Sequence, residues 1–157
     1  MNRRAWVFLL TAAMAGATSL LATNACAVFS VTEPWVRAAP DNRNAEFFVK
    51  LQSSDPVTLI GADSFAAKST TLLAPGTREA LKSMPLPANT TVELKPQAHR
   101  ILLAGLVRKL KMGEYVPVTL FVRGSDGKEQ KLFVNAEVRQ RSPTEDERDH
   151  AHEPHKH

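Results

Sequence analysis

Between Phe29 and Val138 the chain repeats one pattern: short runs of alternating apolar and polar residues, each closed by turn-forming residues. A period of two sends successive side chains to opposite faces, so these runs read as half-buried strands and leave almost no helical periodicity. Strands are expected at 29–37, 45–51, 57–64, 69–73, 78–82, 91–94, 99–103, 116–123 and 131–138. Turns fall at Ala39-Pro40-Asp41-Asn42, Ser54-Asp55-Pro56 and Ala74-Pro75-Gly76-Thr77, and Gly124-Ser125-Asp126-Gly127-Lys128 forms a hairpin tip. Glycine takes positive φ at such tips without steric cost. Pro85-Leu86-Pro87-Ala88-Asn89 reads as a rigid connector. About nine short strands spaced this way predict an all-β, antiparallel sandwich or barrel.

The first 27 residues carry a different signal. Arg3 and Arg4 precede an apolar stretch from Ala5 to about Leu21, and Ala25-Cys26-Ala27 supplies small residues for cleavage. This is a secretory signal peptide, with the cut expected before Val28 and no membrane span left in the mature chain. A lipid-anchored Cys26 is disfavoured, because Thr23-Asn24-Ala25 lacks an apolar residue three before the cysteine. Cleavage removes the only cysteine, and thiol nucleophiles, disulfides and cysteine-based metal sites go with it. Residues 28–141 are then one modest domain that must be stable through its core.

From Ser142 the composition changes. Ser142 to Asp149 contains no apolar residue, so this stretch cannot offset the entropy of ordering itself, and 142–157 is expected to be a disordered acidic tail. Four of the five histidines, His150, His152, His155 and His157, crowd into its end beside Glu147, Asp149 and Glu153. Imidazole suits Cu(II) and Zn, so the tail reads as a flexible metal-binding segment or as a solvated tail without that role. The whole chain carries +4, and the acidic tail leaves a mildly basic body. Its bases are scattered, without an aromatic-studded stripe, which argues against nucleic acid.

Several segments, in order, resemble the periplasmic copper chaperone family PCu(A)C. Glu33-Pro34-Trp35-Val36-Arg37 looks like its first strand, and Phe47-Phe48-Val49-Lys50-Leu51 and Leu59-Ile60-Gly61-Ala62-Asp63 like its second and third. Leu86-Pro87-Ala88, Val92-Glu93-Leu94-Lys95-Pro96, Leu102-Leu103-Ala104-Gly105-Leu106 and Val116-Pro117-Val118-Thr119-Leu120 continue the match to about residue 138. The resemblance implies a cupredoxin-like Greek-key barrel that carries copper in the periplasm, with a cytochrome oxidase subunit or its assembly factors as the accepting partner. It also implies a ligand set of a His, a Met and a later His-x-Met. Anchored on Pro96 and Gly105, the His-x-Met pair falls on Arg100 and Leu102, the first His near Leu73, and the first Met near Thr77 or Arg78. The family's ligands are therefore mostly replaced here. His99 lies one residue out of register, on the opposite face of its strand.

The remaining candidates are weaker. His99 reads as a surface strand residue, as a ligand re-aimed by a bulge, or as a partner contact. Met84 and Met112 are gap-fillers or, with His99, an alternative copper site. Trp35 is expected in the sandwich core, and Arg78, Arg100, Arg108 and Lys109 on a solvated or docking face. Ser64 beside Asp63 is the nearest thing to a nucleophile with an acid, but nothing in the spacing supports catalysis, and the protein reads as non-enzymatic. The expectation is an exported protein handling copper, Cu(I) or Cu(II), with zinc a further cargo of the tail. The alternative is a non-metal interaction or assembly module on the same barrel.

Overall fold

The computed structural model describes residues 26–145. Ten strands follow in order: β1 (Phe29–Ala38), β2 (Asn44–Ser53), β3 (Val57–Asp63), β4 (Ala67–Leu73), β5 (Ala80–Leu81), β6 (Met84–Leu86), β7 (Val92–Leu94), β8 (Arg100–Leu106), β9 (Tyr115–Gly124) and β10 (Glu129–Val138). They form one sheet in the order β5-β4-β8-β2-β1-β10-β9-β3-β6, with β7 pairing β2 beyond the end of β8. The two edge strands, β5 and β6, are separated in sequence only by Lys82 and Ser83, so the sheet curls until its edges meet. This is the expected all-β, cupredoxin-like barrel.

Two features depart from the sequence reading. The start of the expected connector at 85–89 belongs to a tenth strand, β6, which lies against β3 with Met84 opposite Leu59 and Leu86 opposite Val57. Pro85 fits because β6 is an edge strand, where a missing N–H is tolerated. In addition, β1 and β10 run parallel, with Trp35 opposite Glu137 and Val36 opposite Val138, while the other strand pairs are antiparallel.

Period-two packing builds the core. Phe47, Val49 and Leu51 from β2, Ile101 and Leu103 from β8, and Val116, Val118, Leu120 and Val122 from β9 all point inward and are almost fully buried. A bulge in β1 between Thr32 and Trp35 changes which residues face in. Phe29 and Val31 pack on the core before it and Val36 after it, a switch from odd to even positions. Glu33, at φ +49°, absorbs the extra residue.

The bulge turns Trp35 to the outer face of the sheet. Trp35 is buried, as expected, but outside the main core cluster: it packs on Phe48, its cross-strand partner, with ring centroids 4.4 Å apart. The Arg37 guanidinium covers the same Phe48 ring at 5.4 Å.

The start of the expected tail is held by the barrel. Ser142 to Glu145 run beside β1 and β2, where the Thr144 hydroxyl donates to the Glu33 carboxylate and accepts from Lys50 Nζ at 3.3 Å. Lys50 Nζ also donates to Glu33 at 2.6 Å. Polar contacts thus hold a stretch whose one apolar side chain is that of Pro143. The leader to residue 25 and the tail from residue 146, with all four of its histidines, lie outside the described residues.

The Glu33 carboxyl titrates below its ordinary 4.5, first through its hydrogen bond from Lys50 and then through that from Thr144. A depressed folded-state value stabilises above the unfolded value and is lost as pH falls through the folded one. Stability should therefore decline on the acid side below about pH 4.5. Lys50→Met should flatten part of that decline, read as urea midpoints by circular dichroism between about pH 6 and about pH 3.

Candidate functional site

The outer face of β4, β8, β2 and β1 carries a cavity of about 480 Å³. Leu73, Arg78, Arg100 and Leu102 line it together with Glu46 and Arg37. Sheet register explains the convergence. Ile101 and Leu103 of β8 face the core, which leaves Arg100 and Leu102 on the other face. Leu73 of β4 lies opposite Arg100, and Glu46 of β2 opposite Leu102. Leu73, Arg100 and Leu102, near which the family resemblance places metal ligands, thus line one cavity with Arg78, one of the two residues given for the first Met; the other, Thr77, is not among its lining residues.

Arg100 dominates the site and is only 8% exposed. Its Nε donates to Glu46 Oε1 at 2.9 Å. Its Nη1 donates to the carbonyls of Ala74 and Ala98 at 3.3 and 3.2 Å, and its Nη2 to that of Thr77 at 2.7 Å. A buried guanidinium needs this saturation, because an unpaired charge in low dielectric is costly. One side chain thereby ties β2 to the loop after β4 and to the turn before β8. The other Glu46 oxygen accepts from Arg37 Nη2 at 2.9 Å. Arg78 makes no ion pair with the described residues. Three guanidinium groups thus face one carboxylate, and the cavity is net positive.

The other singled-out residues are dispersed. His99 is half-buried in the turn before β8, whose first residue is Arg100, so the strand starts one residue later than expected. Its carbonyl accepts from the Lys95 N–H at 3.0 Å. Met84 is buried in the core on β6. Met112 is exposed in the turn before β9, its sulfur 3.6 Å from Gln140 Nε2. None of the three lines the Arg100 cavity, and Met112 lines a separate one with Glu137 to Arg141. Among the described residues no group of three or more His, Cys, Asp or Glu side chains is arranged to hold a metal ion.

Arg108 pairs with Glu114 at 2.8 Å and lies, like Lys109, outside the Arg100 cavity. The Ser64 hydroxyl donates to the Pro117 carbonyl at 2.7 Å, and Asp63 accepts from the Ser64 N–H. Sequence reading missed Glu46 as the partner of both Arg37 and Arg100. Its only trace was that it is one of two charged residues, with Lys50, in the otherwise apolar strand Ala45 to Leu51.

The barrel has the fold of PCuAC domains. The apo PCuAC domain from PmoF1 matches at TM-score 0.60 and 22% identity, covering 71% of this chain and 92% of that one. The copper-bound PCuAC domain from PmoF2 matches at TM-score 0.55 and 20% identity, covering 71% and 93%. The Cu(I)-DR1885 solution structure from Deinococcus radiodurans is 30% identical, with TM-score 0.56 and coverage of 80% and 83%. The chain belongs to the LpqE-like family, whose model, described as "Putative lipoprotein LpqE-like", matches residues 29–135. No curated protein matches it.

Removing the Arg100 guanidinium would strand Glu46 beside Arg37 alone and leave the Ala74, Ala98 and Thr77 carbonyls without that donor. Arg100→Leu should destabilise the barrel by about 3–5 kcal/mol, the range for breaking a buried ion pair from one side. A lower urea midpoint at unchanged slope is the expected readout.

Proposed function

We propose that this is an exported copper-handling protein whose ion is captured by the histidine-rich tail, with the barrel as its scaffold. The metal half of the reading is supported by likeness to copper-bound relatives, the Cu(I)-DR1885 structure among them. The division between tail and barrel rests on one observation, the Arg100 guanidinium seated in the cavity where the resemblance places the metal. Cu(I) favours thioether sulfur and imidazole. The cavity offers a fixed cation, a second arginine and two aliphatic chains, which do not fit that ion. Its one carboxylate, Glu46, is already held by Arg37 and Arg100.

The tail has the complementary chemistry. His150, His152, His155 and His157 supply imidazoles at close spacing, with Glu147, Asp149 and Glu153 as further oxygen donors. A donor set of this kind suits Cu(II) and Zn. The accepting partner would be a second metal protein outside the cytoplasm, such as an oxidase subunit or an assembly factor. No helix among the described residues is long and apolar enough to cross a membrane. The protein would be a carrier without enzymatic activity.

Export is supported by the leader and by the family's lipoprotein description. Cleavage before Val28 would leave intact the pairing of Val28 with Ser54, whose hydroxyl accepts from the Val28 N–H at 3.0 Å. The second reading, an interaction module without metal, is favoured by the same arginine: a barrel that has filled its site with a cation has given up cation binding there.

Titration with Cu(I), Cu(II) and Zn separates the readings. The full form from Val28 should bind in the micromolar range or tighter, and a form ending at Glu145, which keeps the Thr144 contacts, should not. Binding to the full form should fall away below about pH 6 as the imidazoles protonate. Equal binding by both forms would return the ion to the barrel, and binding by neither would favour the interaction module. Intact mass of the exported protein should place its first residue at Val28. A lipid adduct on Cys26 would overturn that cleavage site.

A further inference from the structure

The Arg100 cavity has a chemistry of its own. Arg37, Arg78 and Arg100 outnumber the single Glu46, giving a formal excess of two positive charges. Glu46 is engaged on both oxygens, by Arg100 Nε and Arg37 Nη2, both at 2.9 Å. Arg100 is committed to Glu46 and three carbonyls. Arg78 is exposed at the rim and unpaired among the described residues. Arg37 is partly exposed and uses one amine on Glu46. Beside these donors stands an apolar wall that includes Leu73, Leu102 and Ala38. A concave site with converging donors of one sign and an apolar wall has the composition of a small-molecule pocket.

We propose that this cavity binds a small organic carboxylate, with Arg78 and the free edge of Arg37 gripping the anion and the leucines packing its aliphatic body. Guanidinium matches a carboxylate with two parallel N–H donors, which gives direction as well as charge. The buried Arg100 is not a ligand in this scheme. It holds Glu46 and the loop after β4 in place, so that the rim arginines face one space. Glu46 opposes the anion, and it sets the affinity by weakening it.

The test uses metal-free full-length mature protein in nitrogen-15 NMR at constant ionic strength, with sodium acetate, sodium butyrate and inorganic phosphate as probes. Butyrate should give saturable shifts at Leu73, Arg78 and Leu102 and bind several-fold more tightly than acetate, because only a walled site rewards added methylenes. Arg78→Gln should weaken butyrate about ten-fold, whereas Lys109→Gln, on a turn outside the cavity, should leave it unchanged. Glu46→Gln should tighten it, a change in the opposite direction that a merely disrupted fold would not produce. Non-saturating shifts, equal losses in Arg78→Gln and Lys109→Gln, phosphate outcompeting butyrate, or no gain from acetate to butyrate would each overturn the proposal. The outcome is independent of whether the tail binds metal.

Discussion

A guanidinium buried on the outer face of a barrel sets the terms for everything around it. Arg100 reaches Glu46 on β2, Ala74 and Thr77 in the loop after β4, and Ala98 in the turn before its own strand. Those contacts span three separate stretches of chain. Because a charge in that position is costly unless it is paired, the guanidinium ties the three stretches together. The loop after β4 is short and is pinned again by Gly76 N–H to the Gln97 carbonyl at 2.8 Å, with Gly76 at φ +65°. The cavity beside β8 is thus built around a fixed positive charge held by one carboxylate and three carbonyls.

Much of the barrel was legible in the sequence, because alternation at period two is a local property. Runs such as Val116–Val122 show it without outside help. What escaped was non-local. The strand at Met84–Leu86 was hidden by two prolines that an edge position accommodates. The parallel pairing of β1 with β10 depends on how the sheet closes, which alternation does not encode. The face of Trp35 was set by a single extra residue at Glu33, and one residue is enough to reverse every side chain beyond it.

The site divides along the same line. Counting from Pro96 and Gly105 put Arg100 and Leu102 on a common face, and the structure gathers them with Leu73 and Arg78 into one cavity. Register within a strand follows from sequence spacing. The identity of the groups that satisfy Arg100 does not, since three are backbone carbonyls and the fourth, Glu46, is 54 residues away. His99 was assigned to a strand and lies in the preceding turn, a one-residue difference at an element boundary, where such readings are least certain.

The clasp between Thr144, Glu33 and Lys50 also fixes where the last described residues lie. Trp35, Thr144 and Glu145 line one cavity of about 410 Å³, so the chain departs directly beside an indole ring. The only other tryptophan in the sequence is Trp6, within the leader. An exported chain that has shed the leader would then hold one tryptophan, placed where the described residues end. Its emission would then report the state of the Thr144 clasp beside it without an added label.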